Sequence, residues 1–172
     1  LAIFTSAFAM QVIAVPSEFE ANRWHEDESY RPMAHGLAVG AAANTDRDYV
    51  FTDIPDRLKG ASYVMTRMEA KASDSSQPLL QLELNKEATV LVGFDARCQQ
   101  MPAWLGEWHQ TGEMLKTTGG EFQLFEKSAP AGQVILHGNQ AKGADAMYVV
   151  VVSGEGQALE SVKIDKGYSL SF

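Results

Sequence analysis

Apolar and polar residues alternate along Leu80–Leu84, where Leu80, Leu82 and Leu84 fall at period two with Gln81 and Glu83 between them. That spacing predicts a strand with one face in a core. The next apolar stretch, Ala88–Phe94, is rich in valine and leucine, short, and bounded by polar residues, which predicts a buried strand. Met147–Val152 (MYVVVV) is apolar at successive positions, so both faces should be covered and the strand should sit centrally. Further strands are predicted at Asp48–Asp53, Ser62–Met68, Glu113–Thr117, Glu121–Glu126 and Val134–Leu136, with a weaker one over Gly36–Ala43. Val162–Ile164 and Tyr168–Phe172 could supply a closing pair. Ser17–Arg31 is polar and acid-rich, and predicts either a turn or two of helix or a surface loop.

Turn chemistry separates these runs at short intervals: Asn44-Thr45-Asp46, Ile54–Gly60, the loop Ala70–Gln77, Gly119-Gly120, Pro130-Ala131-Gly132 and Gly138–Asp145. No segment longer than about ten residues repeats at a helical period, and parallel crossovers need such segments. The predicted architecture is therefore all-β, a two-layer antiparallel β-sandwich of jelly-roll-like type.

After the buried strand, Asp95, Arg97 and Cys98 leave the ladder and Pro102 stops its continuation. The sequence Pro-Ala-Trp-Leu-Gly-Glu-Trp-His-Gln-Thr-Gly then predicts a structured loop. Aromatic planes bind sugars because the C–H faces of a pyranose are apolar, while neighbouring carboxylates, amides and guanidinium groups can satisfy its hydroxyls. Trp104, Trp108, His109, Glu107 and Arg97, with Gln110 beside them, supply that mixture and form the candidate ligand site. A tryptophan four residues after another can equally plug the end of a sandwich, so core and ligand roles both stay open for Trp104 and Trp108.

At the N-terminus, Leu1–Ala9 has the apolar character and small-x-small ending of a secretory signal remnant, without a charged region ahead of it. Joined to Met10–Val15 it is still too interrupted, by Ser6, Gln11 and Pro16, to span a membrane. A second reading places Phe4, Phe8, Met10 and Val12 on one face of a donor strand that would complete a neighbouring subunit's sheet and polymerise copies of the chain. Residues 1–15 are accordingly set apart from a single sandwich domain over residues 16–172, long enough to bury a substantial core.

Net charge changes the picture by exclusion. At -8, with no cluster of Lys and Arg, the chain lacks the basic stripe that nucleic acid or an anionic membrane surface requires. The single cysteine, Cys98, rules out an intrachain disulfide, and the neighbouring Asp95 favours a structural thiol over a reactive one. His25, His35, His109 and His137 are scattered without metal-ligand spacing, so no metal site is predicted from them. The run Trp24-His25-Glu26-Asp27-Glu28 suggests a cation site, but acid runs are usually solvated faces. Asp46, Asp48, Asp53 and Asp56 could hold a structural calcium, although a turn-forming role explains them as well. No nucleophile elbow, phosphate loop or Cys-His dyad is present, and the 22 acids do not by themselves identify a hydrolytic pair. No enzyme and no obligatory cofactor are predicted.

The succession IPDRLKGASYVMT, ATVLVGFDAR, PAWLGEWHQTG, FQLFEKSAPAGQVILHGN and MYVVVV resembles a β-sandwich domain of secreted bacterial proteins, including polysaccharide-degrading ones, and is similar to galactose-binding-like carbohydrate modules. It covers roughly Asp48 to Val152. The resemblance implies a sandwich fold and an extracellular or cell-surface setting, and it assigns no ligand residues. Three functions are then open: a non-catalytic module that recognises polysaccharide or cell-surface glycan through its aromatic loop, a filament or pilus subunit polymerised by its N-terminal strand, and, less favoured, a polysaccharide hydrolase or lyase.

Overall fold

A computed structural model describes residues 23–165. The proposed signal or donor segment, with Phe4, Phe8, Met10 and Val12, and the strand expected at Tyr168–Phe172 lie outside the described residues. In chain order the strands are β1 (Trp24–His25), β2 (Arg31–Met33), β3 (Phe51–Asp53), β4 (Ser62–Met65), β5 (Pro78–Leu84), β6 (Ala88–Asp95), β7 (His109–Thr117), β8 (Gly120–Ala129), β9 (Gly132–His137), β10 (Val149–Ser153) and β11 (Leu159–Asp165). They form two sheets, one ordered β1-β11-β5-β9 and the other β2-β4-β10-β6-β8-β7-β3. Every strand pairing is antiparallel. The all-β two-layer sandwich expected from the sequence is the observed fold.

Burial follows the apolar positions, although in β5 the opposite face is covered as well, with Leu79 and Gln81 1% and 6% exposed because β5 lies between β11 and β9 inside its sheet. Leu80, Leu82 and Leu84 of β5 are buried, as their spacing requires. In β6, Val90, Leu91 and Val92 are each 0% exposed. Successive strand residues point to opposite faces, so both faces of β6 are covered. β10, whose Val149–Val152 are likewise buried, lies between β4 and β6 inside the larger sheet. The side chains between the layers join into one continuous apolar cluster.

Four segments depart from expectation. The loop expected over Pro102–Gly112 ends at Trp108, because His109–Gly112 already belong to β7, which pairs with β8 from His109↔Glu126 onward. Residues 36–43 form no regular strand; they carry the isolated bridge Ala42↔Val50 and irregular backbone hydrogen bonds such as Gly40 N to Phe51 O at 2.8 Å and Leu37 N to Ala61 O at 3.0 Å. Gly40 adopts φ +91, which a regular strand does not use, and the segment instead lies on Tyr63, whose hydroxyl donates to the Ala42 carbonyl at 2.7 Å. The strand expected to reach Met68 stops at Met65, because the Asp46 carboxylate accepts from the Met68 and Glu69 N–H groups at 2.7 and 3.1 Å and opens a short 3-10 turn over Met68–Ala72. Residues 24–33 are neither helix nor plain loop. They contribute β1 and β2, two short edge strands held by β11 and β4, and Pro32 is tolerated because an edge strand leaves one side unpaired.

The chain changes layer at Pro130-Ala131, between β8 in the larger sheet and β9 at the edge of the smaller one. β8 also outruns β7: pairing of these two ends at His109↔Glu126, while Lys127, Ser128 and Ala129 continue to pair with β6. Lys127–Ala129 therefore have no strand on their other side. The tryptophan loop, just ahead of β7, occupies that place.

Candidate functional site

The loop is shaped by consecutive tight turns. Pro102 sits in extended backbone, and Ala103–Leu105 then form a 3-10 turn. Hydrogen bonds from Leu105 N to Pro102 O, Gly106 N to Ala103 O and Trp108 N to Leu105 O, each 3.0 Å, keep the chain coiled as far as Trp108. Leu105 is buried and anchors the turn in the core. The coil brings the two indoles edge to face, with centroids 6.0 Å apart and planes at 85°.

Trp104 is fixed from three sides. Its Nε1–H donates to the Gly138 carbonyl at 2.9 Å, its ring meets Tyr148 edge-on at 5.5 Å, and His137 lies against it at 6.4 Å. Trp108 is held less tightly, with Lys127 Nζ 6.0 Å from its ring centre. Both indoles are partly exposed. Trp104 thus joins the core packing and presents a face outward, so the two roles left open by the sequence coexist in one residue.

A groove of about 730 Å³ runs beside them. It is lined by Trp104, Glu107 and Trp108 of the loop, Lys127 and Ser128 of β8 near the layer change, and Gln133, Ile135 and His137 of β9. Ser75 and Ser76, from the turn before β5, close one end. Ile135 is 45% exposed, an unusual position for a large aliphatic side chain, and adds apolar surface to the groove. Apolar planes with a few hydroxyl, amide and charged groups are what a small polar ligand with apolar faces requires.

Of the residues predicted for the site, Trp104, Glu107 and Trp108 line this groove and His109 and Arg97 do not. His109 begins β7 as an exposed residue opposite Glu126. Arg97 is bound to Asp95 through Nε and Nη2 at 3.0 and 2.8 Å, in the turn after β6. Lys127, Ser128, Gln133, Ile135 and His137 reach the groove only because β8 and β9 fold into different layers. Their one sequence signal is the Pro130-Ala131 corner, which brackets Lys127 and Gln133.

Asp95 belongs to the framework behind the loop. It is 1% exposed and accepts from Arg97 N at 3.0 Å and Asp145 N at 2.8 Å as well as from the guanidinium. Burial works against its charged form, but the hydrogen bonds from Arg97 and Asp145 and the nearby positive charge outweigh it and hold the carboxyl below its usual range. A carboxyl whose folded value is depressed contributes stability above the unfolded value, about 3.9, and loses it as pH falls through the folded one. Asp95→Asn is expected to cost about 2 kcal/mol at neutral pH, since an amide NH2 would face donors. The gap to the unsubstituted chain should narrow below about pH 4, as read from urea unfolding across pH 2–7; a gap independent of pH would contradict this assignment.

Two of the four aspartates considered for calcium have structural partners. Asp46 caps the Met68 turn, Asp56 pairs with Lys59 at 2.9 Å, and no three His, Cys, Asp or Glu residues converge to hold a metal ion among the described residues. Cys98 is a free thiol donating to the Gln100 carbonyl at 3.2 Å, and burial first, with Asp95 adding, pushes its pKa up. No helix among the described residues is long and apolar enough to cross a membrane.

The two-layer antiparallel sandwich also occurs within larger proteins of known structure. A β-glucuronidase from glycoside hydrolase family 2 matches with a TM-score of 0.65 and 24% identity, over 77% of this chain and 14% of that one. A GH138 enzyme targeting pectin rhamnogalacturonan II matches with a TM-score of 0.52 and 13% identity, over 81% of this chain and 17% of that one. The chain thus spans under a fifth of either enzyme, and what it shares with them is the fold. No family model and no curated protein matches it.

Proposed function

We propose that this chain is a non-catalytic carbohydrate-recognition sandwich, working on polysaccharide or cell-surface glycan in an exported setting. The observation that carries the reading is the groove that two partly exposed indoles and an exposed aliphatic residue line together with hydroxyl, amide and charged groups. A sugar ring can lay its C–H face on such a surface while its hydroxyls meet Ser128, Gln133 and Glu107. Glycosidic hydrolysis needs two carboxylates across the bond, and Glu107 is the one acid that lines the groove among the described residues. That favours binding over chemistry. Similarity of fold to parts of two glycoside hydrolases supports a carbohydrate-related role.

Trp108→Ala tests the reading. Trp108 sits at the rim and makes fewer anchoring contacts than Trp104, so the fold should survive with a loss of about 1 kcal/mol from the indole pair. In native affinity gels containing polysaccharides, the retarded protein should lose about tenfold in apparent affinity, the equivalent of about 1.4 kcal/mol. Equal retardation of the two proteins on every gel that retards either would remove the groove as the binding site.

A further inference from the structure

We propose that the groove selects glycans that carry carboxylates, with the Lys127 ammonium as the group that receives the charge; this rests on the groove being the glycan site. The argument begins with how cations are used elsewhere in the chain. Among the described residues Arg57, Lys59, Lys71, Arg97 and Lys116 each meet a carboxylate within ion-pair distance, whereas Arg31, Lys86, Lys142, Lys163 and Lys127 do not, and of these five it is Lys127 that lines the groove. Lys127, on an exposed stretch of β8 that no strand covers on one side, has no carboxylate partner among the described residues. Its recorded partner is the ring of Trp108, 6.0 Å from Nζ.

That arrangement leaves the ammonium available and places it. The long aliphatic stem of a lysine is costly to order, and here the indole face restrains it next to the surface on which a sugar would stack. Glu107, an acid in the same lining, does not approach Lys127 within ion-pair distance, so the ammonium has no direct carboxylate contact to give up on binding. The chain as a whole carries a net charge of -8, so an anionic glycan is repelled at long range. A local unpaired cation within the groove is the feature that would reverse this over a few ångströms, inside the Debye length of about 8 Å at physiological salt. A neutral sugar would leave the ammonium serving only the ring beneath it. A uronate bound against the indoles would use both.

The test is calorimetric and uses the full chain. Oligosaccharides of α-galacturonate, β-glucuronate and β-mannuronate are titrated alongside the same oligosaccharides with every carboxyl reduced to a primary alcohol, so that linkage and ring stereochemistry stay fixed. At least one acid form should bind about fivefold or more tightly than its reduced counterpart. Lys127→Met, which keeps an aliphatic stem over Trp108, should bring the acid form down to the level of the reduced one, with an unfolding midpoint confirming the fold. Equal affinity for each acid and reduced pair, a preference that survives Lys127→Met, or binding of neutral glycans alone would each overturn the inference while leaving the groove reading intact. Loss of both forms in Trp108→Ala keeps the site in the groove. Retention of both by that variant would move glycan binding elsewhere and overturn the two readings together.

Discussion

Asn139→Ala is expected to destabilise the protein by about 3 kcal/mol or more, among the larger effects a single substitution can have. Asn139 is 0% exposed and its amide spans two neighbouring stretches of chain. Nδ2 donates to the Lys71 carbonyl at 3.1 Å and to the Ala146 carbonyl at 3.0 Å, and Oδ1 accepts from Tyr148 N at 2.9 Å. Alanine removes this donor and acceptor together and strands the groups they served, and leaving a buried group unsatisfied costs roughly 1–3 kcal/mol each before water or relaxation recovers part of it. For a chain of this size the midpoint of thermal unfolding should fall by about 10 °C. The effect should also reach the groove. Tyr148 packs on Trp104 and its hydroxyl donates to the His137 carbonyl at 2.8 Å, so loosening its backbone should change the near-ultraviolet circular dichroism of the folded state. A midpoint within about 2 °C of the parent would show that the amide is not the junction described.

Gly138→Ala should be of similar size for a different reason. A Cβ at Gly138 would fall on the Asp74 carbonyl, 2.5 Å from its carbon and 2.7 Å from the Ser73 oxygen. These are backbone atoms, which cannot rotate aside as a side-chain tip can. The two strips of chain are also sewn together: Gly138 N donates to Gln77 O at 3.1 Å, Gln140 N to Ser73 O at 2.8 Å, and Asn139 N to Ser73 Oγ at 2.9 Å. Relieving the clash means parting them, and overpacking of this kind costs about 3 kcal/mol. Because the Gly138 carbonyl receives the Trp104 indole N–H, the shift should appear as altered tryptophan emission. Both substitutions act on one junction, so the double variant should lose less than the two single losses added. Strict additivity in urea unfolding would contradict a shared junction.

Elements whose burial depends on their own residues were legible in the chain. Leu80–Leu84 announced β5 because period-two apolarity needs no partner to be recognised, and the successive valines of β10 announced a strand covered on both faces. Elements set by remote partners were not. Met68 leaves its strand for a carboxylate at Asp46, 22 residues earlier, and the short strands at Trp24–His25 and Arg31–Met33 exist because β11 and β4 offer free edges. The site divides in the same way. Trp104, Glu107 and Trp108 could be named together because one coiled loop holds them, whereas Arg97 and His109, just as near in sequence, are turned to Asp95 and to the β7 ladder.

By itself the sequence determined an all-β sandwich and the aromatic loop at its end, because alternation, turn residues and a proline act over a few residues of chain. Only the tertiary structure decided that the loop and β9 line one groove, that Lys127 lines it without a carboxylate partner among the described residues, and that Asn139 ties neighbouring stretches of chain together. Those facts depend on which strand ends beside which and where the chain changes layer. Such pairings are fixed by the packing of the whole core, and no local run of residues encodes them.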